Sequence, residues 1–164
     1  MANILFEIEL ENGKKMKGEL YKEVAPITVD NFVKLIENHF YDGLIFHRVI
    51  PGFMIQGGGM DANMNPKETA SIKGEFSSNG IKNDLKHDKG VLSMARTMIK
   101  DSASSQFFIM HAPAPHLDGD YAAFGKITEG LEVIDEIAYT PTTSVGYYQD
   151  VPVTPVVIKT MRLL

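Results

Sequence analysis

Three short apolar stretches of this sequence each carry one long polar side chain that could act on a bound molecule. The polar residues are Arg48, Gln56 and Gln106. Residues two apart in a strand share a face, which places each of them beside aromatic or thioether groups. These neighbours are Phe46, Met54, Phe108 and Met110. An unpaired guanidinium in an apolar wall is costly. The polar ends therefore either reach solvent from ordinary strands, or they line a groove for a ligand with an apolar body and an amide-like polar atom.

The elements that would position these side chains are mostly short strands. Apolar residues alternate with glutamates over residues 4–10, and Asn12-Gly13 suits a tight turn, so a hairpin returning through Leu20 is predicted. Pro51-Gly52 fits the centre of a type II turn. Further strands are expected at residues 44–50, 53–56, 91–95, 106–110 and 121–127, with an apolar tail at 153–164. This pattern is typical of a sandwich or a closed barrel.

Two helices interrupt the strands and could cover the open ends of a barrel. Residues 26–39 carry an apolar stripe at helical spacing, formed by Val29, Phe32, Val33, Ile36 and Phe40. Pro26 suits the first turn, Thr28 or Asp30 could satisfy its free amides, and Asp42-Gly43 would end the element. A shorter helix is expected after Gly130.

Composition limits the classes of function. The net charge of −5 provides no basic field for nucleic acid or an anionic membrane surface. No stretch reaches the ~18 apolar residues of a membrane span, and the first residues lack the positive cluster of a secretory signal. The absence of cysteine excludes disulfides and thiolate chemistry. We therefore expect a single domain over residues 1–164, a cytoplasmic location and a monomer.

Residues 46–58 closely resemble the FHRxIxGFMxQGG signature of the cyclophilins. In this sequence they read Phe46-His47-Arg48-Val49-Ile50-Pro51-Gly52-Phe53-Met54-Ile55-Gln56-Gly57-Gly58. Further blocks follow in the family's order, at residues 90–96, 105–109, 117–119 and 124–125, and Asn31-Phe32 also matches. The similarity runs from the first hairpin to the last strand. Residues 149–152 are similar to the bacterial cytoplasmic branch of that family.

The resemblance implies a mainly β fold, a closed eight-stranded antiparallel β-barrel capped by two α-helices. It implies a peptidyl-prolyl cis-trans isomerase that needs no metal or cofactor and acts on Xaa-Pro segments of unfolded or partly folded proteins. The implied catalytic residues are Arg48, Gln56 and Phe53. The implied substrate-binding residues are Met54, Ala95, Arg96, Gln106, Phe108, His116, Leu117 and Tyr121. Of these, Met54, Phe108 and Leu117 would join Phe53 in the proline pocket, and the backbone at Ala95-Arg96 would hold the peptide with Gln106.

Three of these positions depart from the family's usual residues. His116 stands where vertebrate members usually carry a Trp that helps to bind cyclosporin, so weaker cyclosporin binding is predicted with little loss of activity. Tyr121 replaces a common His, and its ring and hydroxyl can still close the wall and donate a hydrogen bond. Arg96 replaces a frequent Asn, which predicts only a shift in peptide preference.

Other chemistry has weaker support in the sequence. The five histidines are His39, His47, His87, His111 and His116. They form no HExxH motif, so no metal site is predicted. Residues 57–59 lack the helix start and Lys-Ser/Thr of a phosphate cradle, and the serines near Asp101 lack a nucleophile elbow. Two alternatives to the isomerase are a proline-recognition module with incidental turnover and an unrelated barrel enzyme such as a hydrolase.

Overall fold

The computed structural model of the protein describes residues 3–164. The helices are α1 (Pro26–Glu37) and α2 (Leu131–Ala138). The strands are β1 (Ile4–Leu10), β2 (Lys15–Leu20), β3 (Arg48–Ile50), β4 (Met54–Gly57), β5 (Val91–Met94), β6 (Phe107–Met110), β7 (Ala123–Glu129), β8 (Thr142–Val145), β9 (Tyr148–Pro152) and β10 (Ile158–Leu163). Within the described range, no helix combines the length and apolar character needed to cross a membrane.

Eight strands form one antiparallel sheet in the order β10-β1-β2-β7-β5-β6-β4-β3. The segments that precede the two edge strands meet at one isolated bridge between Ile45 and Val157. Beside it, Phe46 donates its backbone N–H to the Val156 carbonyl at 3.1 Å. The predicted eight-stranded antiparallel fold with two helices is therefore confirmed. The barrel is less fully closed than predicted, because this short contact, and not a full ladder, joins the two edges of the sheet. The result is a half-barrel.

Aromatic rings centred on Phe32 of α1 fill the interior. The Phe32 ring centroid lies 5.7 Å from that of Phe6, 5.5 Å from Phe107 and 5.0 Å from Phe124, all near edge-to-face. Such pairs add about 0.5–1.5 kcal/mol each beyond the burial of their area. Ile134 of α2 belongs to the same buried cluster. Both predicted helices therefore cover the barrel core.

The start of α1 is stabilised by a residue far away in the sequence. Neither Thr28 nor Asp30 caps the helix, contrary to the prediction. Instead, the Glu75 carboxylate accepts the Thr28 backbone N–H at 2.6 Å and the Thr28 hydroxyl at 2.7 Å. Asp30 pairs with Lys22 at 3.1 Å. A carboxylate at a helix N-terminus also interacts favourably with the helix dipole.

The end of α1 comes earlier than predicted. The last helical residue is Glu37, and His39 adopts a left-handed conformation with φ of 56°. Phe40 then donates its backbone N–H to the Leu35 carbonyl at 3.0 Å, which satisfies a free carbonyl of the last turn. The helix therefore ends at this left-handed turn, before Asp42-Gly43 is reached.

The two predicted hairpin turns are present. Gly13 has φ of 88° and donates its N–H to the Leu10 carbonyl at 3.0 Å, whereas Asn12 acts through its side chain, which accepts the Lys14 N–H at 2.9 Å. Gly13 is thus the residue that supplies the positive φ of the first turn. In the second turn, Phe53 donates its N–H to the Ile50 carbonyl at 3.0 Å across Pro51-Gly52.

Two features of the chain differ from the sequence-based expectation. Residues 44–47 form only isolated bridges before β3 begins, so Phe46 does not share a face with Arg48. Its ring is fully buried in the barrel core, 5.9 Å from that of Phe107. The β8–β9 hairpin, which lies beside β3, was not predicted.

Candidate active site

Two of the polar residues singled out from the sequence, Arg48 and Gln56, lie on the outer face of β3 and β4, and the third, Gln106, directly precedes β6. The strand register pairs Arg48 with Gln56, Gln56 with Phe108, and Phe108 with Ser93 of β5, which makes one row across the sheet. Met54 pairs with Met110 in the next row of the same face. A second apolar cluster, separate from the barrel core, forms on this face.

A recess of about 140 Å³ opens above that cluster. It is lined by Arg48, Phe53, Met54, Gln56, Ala95, Arg96, Phe108, Leu117 and Tyr121. The other two predicted residues are adjacent. Gln106 lines a neighbouring groove of about 490 Å³. The His116 ring centroid lies 5.9 Å from that of Phe53, at an interplanar angle of 31°. The structure therefore brings all eleven predicted site residues together.

Arg48 stands at the rim of the recess with its guanidinium exposed to solvent. Its one side-chain hydrogen bond within residues 3–164 is a long one, from Nη1 to the Gln56 Oε1 atom at 3.4 Å. No carboxylate of the described residues lies within ion-pair distance of it. Most of its donors are therefore free for a ligand.

A chain of amide hydrogen bonds holds the polar side of the site. Gln56 accepts from Arg48 and donates from Nε2 to the Gln106 Oε1 atom at 3.0 Å. The Gln106 side chain lies directly over Gly59, where an added Cβ would be 2.4 Å from the Gln106 Cγ. The absence of a side chain at Gly59 therefore permits this arrangement.

The apolar wall is supported from behind by His87. Its ring stacks on Phe108, with the centroids 6.0 Å apart and 18° between the planes. Nδ1 lies 2.9 Å from Asp118 Oδ1 and Nε2 lies 2.9 Å from Ser93 Oγ. Burial lowers the pKa of His87, which favours the neutral ring. Nδ1–H then donates to Asp118, and the Ser93 hydroxyl donates to Nε2.

This Asp118–His87–Ser93 order has the hydrogen-bond pattern of a hydrolase triad, but it cannot reach a substrate. Ser93 is 0% exposed and His87 is 2% exposed. A triad serine must attack a bound carbonyl, which requires an accessible hydroxyl. The three residues instead fix the position of Phe108. They were missed in the sequence, where nothing in their spacing distinguishes them from other loop and strand residues.

Arg96 also lines the recess. Its guanidinium lies between two rings, 4.8 Å from the centroid of Phe76 and 4.7 Å from that of Tyr121. It also donates to the Asp120 carbonyl at 2.7 Å. The Ala95 N–H donates to the Gln106 carbonyl at 3.0 Å and is not available to a ligand. Arg96 therefore stiffens the wall through its side chain.

Within residues 3–164, no three His, Asp or Glu side chains are grouped closely enough to hold a metal ion. His47, beside Arg48, is buried, and its Nδ1 has no hydrogen-bond partner among residues 3–164. Burial and the nearby Arg48 charge lower the pKa of His47 to about 4.

Comparison with known proteins agrees with this geometry. Residues 5–163 match the family described as "Cyclophilin type peptidyl-prolyl cis-trans isomerase/CLD". The chain is 46% identical to a peptidyl-prolyl cis-trans isomerase of Acinetobacter baylyi, over 99% of this chain and 87% of that protein. It is 40% identical to peptidyl-prolyl cis-trans isomerase B of Escherichia coli, over 87% of this chain and 90% of that protein.

A solved structure is also similar. The cyclophilin type peptidyl-prolyl cis-trans isomerase cgd2_1660 of Cryptosporidium parvum superposes with a TM-score of 0.82 at 28% identity, covering 99% of this chain and 98% of the other. The sequence match spans nearly all of the described fold, including every strand that carries the recess. The chain therefore belongs to the cyclophilin family of peptidyl-prolyl cis-trans isomerases.

Proposed function

We propose that this protein accelerates cis-trans isomerisation of Xaa-Pro bonds in unfolded or partly folded polypeptides, with Arg48 as the main catalytic group. The observation that carries the proposal is the position of Arg48, whose exposed and largely unpaired guanidinium lines a recess together with the apolar side chains of Met54 and Phe108. Family membership supports the reaction, and the positions of the residues around the recess support the roles that the resemblance implies.

The reaction needs no nucleophile or proton transfer. The amide C–N bond resists rotation by roughly 18–20 kcal/mol, because the nitrogen shares its lone pair with the carbonyl. Uncatalysed prolyl isomerisation takes on the order of tens to hundreds of seconds. In the twisted transition state this conjugation is lost, and the prolyl nitrogen becomes a hydrogen-bond acceptor.

Arg48 can stabilise that twisted state more than either planar state. A guanidinium N–H donated to the prolyl nitrogen has no equivalent partner while the lone pair is conjugated, so the interaction lowers the barrier selectively. The apolar surroundings strengthen it. An acceleration of ~10⁵ requires about 7 kcal/mol, which one charged hydrogen bond and correct positioning can supply.

The other residues hold the two ends of the reacting bond. Phe53, Met54, Phe108 and Leu117 form the apolar part of the recess, against which a pyrrolidine ring could pack. Gln56 accepts from Arg48 and so orients the guanidinium, while Gln106 fixes Gln56. The ring would stay in place while the rest of the peptide turns.

The proposed partners follow from this chemistry. A structure of the Cryptosporidium parvum cyclophilin was determined in the presence of the dipeptide ala-pro. By analogy, we propose that Xaa-Pro segments occupy the recess of this chain. A monomeric state, a cytoplasmic location and weak cyclosporin binding remain predictions.

The test is an NMR exchange measurement on a short Xaa-Pro peptide. Catalytic amounts of protein should merge or broaden the cis and trans resonances, and Arg48→Ala should lower kcat/KM by roughly 10²-fold or more. Lys82→Ala is the control, because the exposed Lys82 amine pairs with Asp84, outside the site. Equal rates for Arg48→Ala and Lys82→Ala would overturn the role of Arg48. A proline-recognition module would instead keep its cellular effect in Arg48→Ala and lose it when Phe108 is truncated.

A further inference from the structure

The loop of residues 97–102 presents two large apolar side chains to solvent near the recess. Met98 is 95% exposed and its neighbour Ile99 is 69% exposed. Tyr147 is also fully exposed, but its hydroxyl can bond water, whereas Met98 and Ile99 have no strong polar group. A single exposed apolar residue is ordinary, but adjacent ones at a binding cleft are typical of interaction sites.

Hydrogen bonds hold this loop in one conformation. Ser102 Oγ accepts from the Thr97 N–H and from the Thr97 hydroxyl, each at 2.9 Å, and donates to the Ile99 carbonyl at 2.6 Å. At the far end, Asp101 accepts the Gly74 N–H at 2.9 Å. The apolar side chains therefore project from an ordered backbone, so a ligand would bind them with little loss of loop entropy.

A groove of about 690 Å³, the Met98 groove, runs from this loop to the recess. It is lined by Ser78, Arg96, Thr97, Met98, Lys100, Asp120 and Tyr121. Arg96 and Tyr121 also line the recess, so the recess and the Met98 groove are direct neighbours. The Arg96 guanidinium contacts residues on both sides: it stacks on the Tyr121 ring at 4.7 Å and donates a hydrogen bond to the Thr97 carbonyl at 2.9 Å.

We propose that Met98 and Ile99 bind a large apolar side chain of the same polypeptide whose proline occupies the recess. The inference rests on the proposed function, since it takes the recess as the proline site. An extended chain leaving the recess past Arg96 and Tyr121 enters the Met98 groove. Leu, Ile and Phe are usually buried in folded proteins and accessible in unfolded ones. The surface therefore selects apolar, unfolded segments as substrates.

The test uses two kinds of peptide and the NMR exchange assay. The first kind is a short Ala-Pro peptide that cannot extend to the loop. The second is a series of longer peptides, each with a single Leu at a different position before or after the proline. At one position, Leu should raise kcat/KM roughly three- to tenfold over Gly. The double substitution Met98→Ser with Ile99→Ser should remove that gain and leave the short peptide unaffected. Val153→Ser is the control, since it removes an apolar side chain that is 60% exposed and that lines neither the recess nor the Met98 groove.

The possible results separate this inference from the proposed function. Failure to accelerate the short peptide would overturn the isomerase assignment itself. Normal turnover of that peptide, with no Leu-dependent gain or with a gain that survives the double substitution, would overturn only the role of Met98 and Ile99. Self-association that the double substitution abolishes would assign the surface to a second copy of the chain and would also overturn the proposal.

Discussion

The Nδ1 atom of His111 accepts the backbone N–H of Gly52 at 2.8 Å and so ties the end of β6 to the β3–β4 turn. The proton of the neutral ring must then lie on Nε2, which donates to Asp135 Oδ1 of α2 at 2.9 Å. The His111 backbone N–H donates to the Phe53 carbonyl at 2.9 Å. One side chain thus connects a helix, a strand and the turn that carries Phe53 into the recess.

Substituting His111 should loosen that turn. In His111→Ala, the Gly52 N–H and the Asp135 carboxylate lose a partner, which should lower the free energy of unfolding by about 1–3 kcal/mol. Phe53 would be less well placed, so KM should rise more than kcat falls. Urea denaturation and peptide kinetics measure the two effects. Asp135→Asn is the milder comparison, because it keeps an acceptor for Nε2. An unshifted Gly52 amide resonance in His111→Ala would show that the hairpin holds its own turn.

Gly59→Ala should weaken substrate binding without unfolding the protein. The new Cβ would lie 2.4 Å from the Gln106 Cγ, and the flexible Gln106 side chain would move away and lose its bond to Gln56. We expect KM to rise roughly three- to tenfold, equivalent to about one hydrogen bond. Gln106→Ala should give the same increase, and the double variant should give no more than either alone. Additive effects would mean that Gly59 acts by another route.

His116→Trp should strengthen cyclosporin binding. His116 already lies against the Phe53 ring, and an indole there would extend the apolar face beside the recess. The dissociation constant should fall at least about tenfold, with kcat/KM on a short peptide nearly unchanged. Inhibition of isomerisation compares the two proteins. Because the natural chain contains no tryptophan, the indole fluorescence of the variant reports binding directly. Equal inhibition of both proteins would contradict the prediction.

Acidification should destabilise the protein through His47. Burial and the Arg48 charge lower its pKa from 6.5 to about 4. Between pH 4 and pH 6.5, His47 is protonated in the unfolded chain and not in the folded protein. The free energy of unfolding is therefore unaffected by His47 above pH 6.5 and falls as the pH approaches 4. The loss from this one group should reach about 3 kcal/mol at most.

The measurement compares urea denaturation of the natural protein and of His47→Phe across that pH range. Phe keeps an aromatic ring against Tyr148 and removes the titration, so the variant should lose less stability on acidification. His87 has a lowered pKa as well and contributes in both proteins. Identical pH dependence of the two proteins would show that His47 accepts a proton in the folded state at its ordinary pKa.

The polar centre of the site could be predicted from local pattern. Arg48, Gln56 and Gln106 alternate with apolar residues, and the Pro51-Gly52 turn lies between the first two. This pattern predicted which side chains share a face. Strand register then follows from the turn. The one error on this face, Phe46, arose because the alternation was extended beyond the residue where β3 begins.

The supporting contacts could not be predicted, because they join residues far apart in the chain. Glu75 bonds Thr28 in the first turn of α1, 47 residues earlier in the chain, and Asp118 bonds His87 across 31 residues. Neither pair has a spacing that repeats or a motif that marks it. Such contacts depend on the packed fold, which local propensity does not specify.

The sheet order has a consequence for the synthesis of the protein. β1 pairs with β2 on one side and with β10 on the other, and Arg162 of β10 bonds the carboxylates of Glu7 and Glu9 of β1. Because β10 lies about 150 residues after β1 in the chain, β1 keeps one open edge during synthesis until β10 has been translated. Open edges recruit strands from other chains. Nascent chains interrupted before Ile158 should consequently be far more prone to aggregate than chains that include β10.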